Sequence, residues 1–354
     1  MNFNFFAPIN DLGYGVAGLN ILKSMVRLGH TVSYWQIGQP VAHTQEDAQL
    51  VQSCINNCHS FDYNAPSIKL WHQHDMGQQI GSGKRVGFPV FELDKFSNVE
   101  KHNLSSLDSI IVCSEWAKAI VESEVPGSDV HVAPLGVDTS IFCPQQKEKE
   151  GPTVFLNVGK WEIRKGHDIL FEAFNNAFTK DDNVELWMMN HNPFLDERQE
   201  SEWHGLYLNS ELGDKVKIIP RVETHSEVAQ IMQQADIGVF PSRAEGWNLE
   251  ALEMMSMGKY VILTNYSAHT EFATDINSKL IHIDDTEEAH DGIWFHGQGE
   301  WASFGDSQME QLVSHMRTLH ELNESTNNRN ERGIITAQKF SWENCVEKII
   351  GSVQ

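Results

Sequence analysis

Residues 241–253 read Pro241-Ser242-Arg243-Ala244-Glu245-Gly246-Trp247-Asn248-Leu249-Glu250-Ala251-Leu252-Glu253, directly after the apolar run 237–240. A short β-branched and aromatic run, a turn and then helical spacing mark the passage from a strand into a helix. Asn248 is a good N-cap for the helix that Leu249 begins, and the free N–H groups of such a first turn form an anion site. Glu245 lies before that turn and Glu253 lies inside the helix. Their separation of eight residues is about 12 Å if all were helical, longer than the roughly 5–5.5 Å between the carboxyls of a retaining glycoside hydrolase. The pair is therefore not one acid/base dyad. A division of labour fits better, with Glu245 accepting hydrogen bonds from sugar hydroxyls, Glu253 accepting them from ribose hydroxyls, and phosphates between them at the helix start.

Outward from this loop, strand-like runs alternate with helix-period segments along the whole chain. In the first half the expected strands are 3–8, 31–37, 67–72, 86–91, 109–113 and 130–133, with helical spacing over 16–28 and 115–122. In the second half they are 153–158, 184–189, 216–219, 237–240, 260–263 and 279–283, followed by helical segments. Such alternation implies parallel sheets covered by helices. The pattern breaks at 143–152, where charge and two prolines replace apolar periodicity, and this break is read as the domain boundary. The expected α/β architecture is two Rossmann-like doubly wound domains facing across a cleft, 1–150 and 151–335. Ligands of open α/β sheets sit beyond the carboxyl ends of the strands, so the loops there carry the chemistry.

Two further loops qualify. Gly13-Tyr14-Gly15-Val16-Ala17-Gly18 has G-x-G-x-x-G spacing between a strand and a helix, and places Gly13 and Gly15 as candidates to bring backbone N–H groups to a diphosphate. A nicotinamide enzyme would also need an acidic residue near the end of the second strand, and 33–39 contains none. Gly159-Lys160-Trp161-Glu162-Ile163-Arg164-Lys165-Gly166 sets Lys160, Arg164 and Lys165 at the mouth of the second domain. Fixed cations there can neutralise charge developing on a departing diphosphate. The acidic run Asp284, Asp285, Glu287 and Glu288 reads as a solvated face.

Charge narrows the partners. The 354-residue chain carries 26 Lys plus Arg against 49 Asp plus Glu, a net charge of −23, which repels nucleic acid and anionic lipid. Membrane contact is expected to be peripheral at most. Five scattered cysteines fit a reducing compartment, and Met1–Asn10 shows no charged leader, so the expected location is cytoplasmic. No Asp-x-Asp pair at a strand end calls for a metal, and none is expected.

The motifs together resemble the family-4 glycosyltransferases of GT-B fold, whose E-G-F-G-L-x-x-x-E stands here as Glu245 to Glu253. The likeness extends to Val112-Cys113-Ser114-Glu115-Trp116, Pro134-Leu135-Gly136-Val137-Asp138, Val158-Gly159-Lys160 with Lys165-Gly166, and Ala235-Asp236 before Pro241-Ser242. The ending Phe340-Ser341-Trp342-Glu343 is similar to the family's last helix, which implies that 336–354 packs back on the N-terminal domain. The resemblance implies a retaining, metal-independent hexosyltransferase with no cofactor. Its donor would be a nucleoside-diphosphate sugar and its acceptor a hydroxyl on a small molecule or glycan. Lys160 and Lys165 would grip the diphosphate, Glu245 the transferred sugar, Gly246, Trp247, Asn248 and Leu249 the sugar and phosphates, and Glu253 the ribose. Trp247 replaces the usual Phe, Asn248 the usual Gly, and Lys160 a more frequent Arg. On the acceptor side the family's histidine has no clear counterpart; His72, His74 and Glu92 are the candidates. The alternatives are a phosphorylase, hydrolase or epimerase of the same fold, or a nucleotide-sugar-binding protein without catalysis.

Overall fold

The computed structural model describes residues 1–145, 151–325 and 329–354. Two compact units emerge, Met1–Gly136 with Lys339–Gln354, and Val137–Gln338. The first boundary falls at Gly136, ahead of the 143–152 segment where lost periodicity placed it; residues 146–150 of that segment lie outside the described residues. Packing explains the shift. Phe142 is buried and its carbonyl accepts a 2.6 Å hydrogen bond from the Ser256 hydroxyl, so the chain just after Gly136 is already part of the second unit.

In chain order the first unit comprises β1 (Asn2–Ala7), α1 (Gly13–Arg27), β2 (Thr31–Gln36), α2 (Gln45–Asn56), β3 (Ser67–Leu70), β4 (Arg85–Phe88), α3 (Asn98–Ser105), β5 (Ser109–Val112), α4 (Glu115–Glu124) and β6 (Val130–Val132). The strands pair in parallel in the order β2-β1-β3-β4-β5-β6. Strands β3 and β5 are buried at every residue, as parallel strands covered on both faces are; in β3 the buried Lys69 is paired with Asp75 at 3.2 Å.

The second unit continues with β7 (Thr153–Gly159), α5 (His167–Ala177), β8 (Val184–Asn190), α6 (Glu197–Leu208), β9 (Val216–Ile218), α7 (His225–Gln234), β10 (Ile237–Phe240), α8 (Leu249–Ser256), β11 (Tyr260–Thr264), β12 (Lys279–Ile281), β13 (Thr286–His290), β14 (His296–Ala302), α9 (Asp306–Ser325) and α10 (Glu331–Ala337). Its parallel sheet runs β12-β11-β10-β7-β8-β9. The core joins Phe155, Leu170, Phe174, Leu186, Val239 and Leu312. The last helix, α11 (Trp342–Val353), belongs to the first unit and lies on α1 and β5, burying Trp342, Cys345, Val346 and Ile349.

One element departs from expectation. Strands β13 and β14 form an antiparallel hairpin that the strand reading did not include, while Asp284, Asp285, Glu287 and Glu288 are exposed, as expected of a solvated face. Glu287 of that run accepts hydrogen bonds from Trp301 Nε1 at 3.1 Å and from the Ser303 hydroxyl, and pairs with Arg243. These partners come from β14 and from the loop after β10, distant in sequence.

Candidate functional site

In the second unit the strand order reverses between β7 and β10, so the loops that follow these two strands lie side by side at the carboxyl edge. The Arg243 N–H donates to the Arg164 carbonyl at 2.7 Å, stitching one loop to the other. Gly166 takes φ +74°, and a Cβ there would meet the Pro241 carbonyl oxygen at 2.2 Å; the close approach requires glycine.

This contact assembles a buried ionic cluster. Glu245 Oε1 accepts from Lys165 Nζ at 2.9 Å and from the Ser242 hydroxyl at 2.8 Å, while Oε2 accepts from Arg164 at 2.9 Å. Arg164 also donates to Glu162 and to the Ala244 carbonyl, and Lys160 Nζ stands 2.7 Å from Glu162 Oε1. Three cations thus meet two carboxylates, a net of one positive charge among these five side chains, with Glu250 close enough to act on Lys165. Burial alone would raise the Glu245 pKa, but Lys165 and Arg164 beside it hold it well below the ordinary range. Glu162 behaves likewise: burial opposes ionisation, and Arg164 and Lys160 bring it down to about 2. For Lys165, burial favours the neutral amine, yet Glu245 and then Glu250 raise its pKa. Glu162, Glu245 and Lys165 are therefore charged at neutral pH.

Arg243 was missed as a site residue in the sequence. Arg243 forms a two-toothed pair with Asp168 at 2.8 Å on each arm and donates to the Ile163 carbonyl. Its partners lie about 75–80 positions away, beyond any local pattern. It also stands over the Trp301 ring, and its carbonyl accepts from the Ala302 N–H, so it fastens the β13–β14 hairpin to the site loop.

Asn248 is the N-cap of α8, its Oδ1 accepting from the Ala251 N–H at 3.1 Å, and it does so from the left-handed region at φ 83°. Its other amide atom, Nδ2, donates to His269 Nε2 at 2.9 Å, and His269 Nδ1 donates to the Thr264 carbonyl at 3.1 Å. Those bonds require a neutral ring, and burial lowers the His269 pKa to about 4 despite the opposing pull of Glu245. Gly246, Trp247 and Leu249 of the same turn are buried.

Glu253 lies one turn further along α8 and is 94% buried, with 6% of its surface exposed. Among the described residues its carboxylate has no hydrogen bond or ion pair. Burial, and then the neighbouring Glu250, push its pKa well up. A buried acid without a donor is costly, so this position is built for something other than stability of the unliganded fold.

The other sequence candidates belong to the first unit. There the order reverses at β1 and β3, bringing the glycine turn and the residues after β3 together. A Cβ on Gly15 would strike the Asn10 backbone at 2.3 Å, whereas Gly13 has open space around it; only Gly15 is sterically required, and what it permits is helix packing. Tyr14 packs edge-on against His72 at 4.8 Å, His72 stacks on His74 at 5.4 Å, and the Tyr14 hydroxyl donates to the Val90 carbonyl at 2.7 Å. Burial raises the Tyr14 pKa well above its ordinary value, and Glu92 adds to the rise, which places that carboxylate close by. His72, His74 and Glu92 therefore share one cluster at the carboxyl edge.

Residues 139–293 match the family model described as glycosyl transferases group 1. A curated relative, the GDP-mannose:cellobiosyl-diphosphopolyprenol alpha-mannosyltransferase of Xanthomonas campestris, is 26% identical over 186 residues, 52% of this chain and 48% of the relative. The chain spans about half the length of the curated relatives it matches. Among solved structures, sucrose-phosphate synthase from Thermosynechococcus elongatus superposes with a TM-score of 0.73 at 16% identity, covering 99% of this chain and 98% of the other. HepE from Anabaena, in complex with UDP-glucose, gives 0.70 at 15% identity, covering 99% and 98%.

Proposed function

We propose that this chain, with its GT-B fold and its match to the glycosyl transferases group 1 model over residues 139–293, moves a hexose from a nucleoside-diphosphate sugar to an acceptor hydroxyl with retention of anomeric configuration and without a divalent metal. The observation that supports this reading is the net-positive cluster of Lys160, Arg164 and Lys165 next to α8, with the unpartnered Glu253 carboxylate inside that helix. Diphosphate charge would fall to the three cations and the α8 N-terminus, the ribose diol to Glu253. Preorganised charge of this kind replaces a metal ion at the leaving group.

Glu245 takes a different part from a free sugar ligand. Three donors already occupy its oxygens, so its main task is to hold Lys165 and Arg164 in place, with one remaining lone-pair direction for a sugar hydroxyl. In the reaction the bond from the anomeric carbon to the phosphate oxygen breaks, and the acceptor oxygen bonds to the same face. The acceptor proton passes to the departing phosphate oxygen. His72, His74 and Glu92 with Tyr14 are the proposed acceptor side. The test needs no acceptor: each of UDP-glucose and GDP-mannose is incubated alone, and magnetic resonance follows slow leakage to water. Early release of the α anomer from one of them is expected; early release of the β anomer, or neither binding nor release, overturns the proposal.

A further inference from the structure

Two large aromatic side chains stand in solvent beside the cationic loop, on segments about a hundred residues apart. Phe194, between β8 and α6, is 58% exposed, and Trp294, at the tip of the β13–β14 hairpin, is 45% exposed. Their rings meet edge to face at 5.8 Å and 73°. Lys160 Nζ lies 5.7 Å from the centre of the Phe194 ring, so the pair adjoins the cluster assigned to the diphosphate.

The arrangement is held in advance of any ligand. Asp291 Oδ1 accepts from three successive backbone N–H groups, those of Ile293, Trp294 and Phe295, at 2.8, 2.7 and 2.9 Å. The Asp291 N–H donates to the Phe295 carbonyl at 3.0 Å, closing the tip, and Phe295 packs on the buried Trp301 at 5.4 Å. At its root the hairpin is tied through Arg243 to the loop that carries Glu245. A rigid tip that keeps a tryptophan in water gives up little conformational entropy when a ligand covers the ring.

We propose that Phe194 and Trp294 form a stacking subsite for a pyranose ring of the acceptor, an assignment that rests on the glycosyl-transfer reading above. Aromatic faces take the C–H surface of a sugar, and the Lys160 ammonium supplies a donor for its hydroxyls. The net charge of −23 disfavours anionic polymers and leaves neutral glycans welcome. A nucleobase fits the position less well. The hairpin is anchored at Arg243, two residues before Glu245, whereas the ribose is assigned to Glu253, eight residues beyond it, so the pair belongs to the sugar end of the donor.

Both side chains are solvent-facing, so their truncation leaves the core intact, and an unchanged melting temperature checks this. The parent protein, the double variant Phe194→Ala/Trp294→Ala and the conservative Trp294→Phe are applied to an array of neutral oligosaccharides. Affinity for UDP and GDP is measured by calorimetry on the same samples. The expected result is glycan binding by the parent, a loss of about tenfold or more in the double variant, retention in Trp294→Phe, and unchanged nucleotide affinity. Glycan signals equal in parent and double variant, or none with the parent, overturn the subsite. A fall in nucleotide affinity alone makes the pair a base platform and overturns it too. Glycan binding that depends on the pair in a protein that binds no nucleotide would leave the subsite standing and remove the donor reading instead.

Discussion

Glu245 and Glu253 share a motif and a burial class, yet their surroundings give them opposite effects on stability. Glu245 faces Lys165 and Arg164 in a dry site, and replacing it with Gln leaves two buried cations short of a partner. Breaking a buried pair in this way costs about 3–5 kcal/mol, so Glu245→Gln is expected to melt well below the parent and to lose turnover along with it. Glu253 has no donor, and its pKa is raised on folding. A carboxyl of that kind contributes stability below its unfolded pKa, and the contribution disappears as pH climbs through the folded value. Glu253→Gln is therefore expected to melt above the parent at pH 8, with the gap closing near pH 4, while affinity for a nucleoside diphosphate falls about tenfold or more through lost hydrogen bonds to a charged group. Thermal melts at the two pH values, with calorimetry at the higher, check both halves; a Glu253 variant less stable than the parent at pH 8 would mean that the carboxylate has a partner in the fold.

The turn into α8 shows what an element asks of a residue that departs from the family pattern. Asn248 holds φ 83° where the related motif has glycine, and its amide is satisfied at both ends, by the Ala251 N–H and by His269 Nε2. His269→Ala removes that second anchor and is expected to cost about 1–3 kcal/mol and to weaken nucleotide binding. Glycine adopts the left-handed region without strain, so adding Asn248→Gly to His269→Ala is expected to restore nucleotide affinity while stability stays low. Calorimetry on the single and double variants decides; no recovery would show that His269 acts other than through the turn. The cap itself was legible in the sequence, because Asn before Leu249 is a local signal. His269, 21 residues away, was not, nor was Arg243, whose bonds to Asp168 and to the Ile163 carbonyl join the loops after β7 and β10. Strands such as β5 and β10 were legible because covered parallel strands are rich in apolar residues, whereas the β13–β14 hairpin is rich in His, Glu, Gln and Gly and carries no alternation to read.

Across the whole molecule, burial of neutral histidines sets the response to acid. His167 is brought to about 3 and His269 to about 4, in each case by burial first, against about 6.5 in an unfolded chain. Below pH 6.5 the unfolded chain takes up protons that the folded one refuses, so each histidine removes about 2 kcal/mol of stability by pH 5. Glu162 joins below about pH 4.5, and its share is gone by about pH 2. Relief of repulsion among the excess acidic residues works the other way but is screened at physiological salt. The melting temperature at 0.15 M salt is expected to fall from pH 7 to pH 5, and a flat or rising profile would show that surface charge dominates. The doubly wound plan of each unit was legible from alternation alone; the first boundary was not, because Phe142 is committed to the second unit by a contact with Ser256, 114 residues on. Lys160, Arg164 and Lys165 with the start of α8 are proposed to hold a diphosphate that other enzymes hold with a metal. The most direct measurement is calorimetric titration of UDP and GDP into the protein in the presence of a chelator. Saturable binding of at least one of them is expected, with an affinity that added Mg²⁺ leaves unchanged; binding that appears only with Mg²⁺ or Mn²⁺, or no binding of either nucleotide, rules out a cluster that holds the diphosphate by itself.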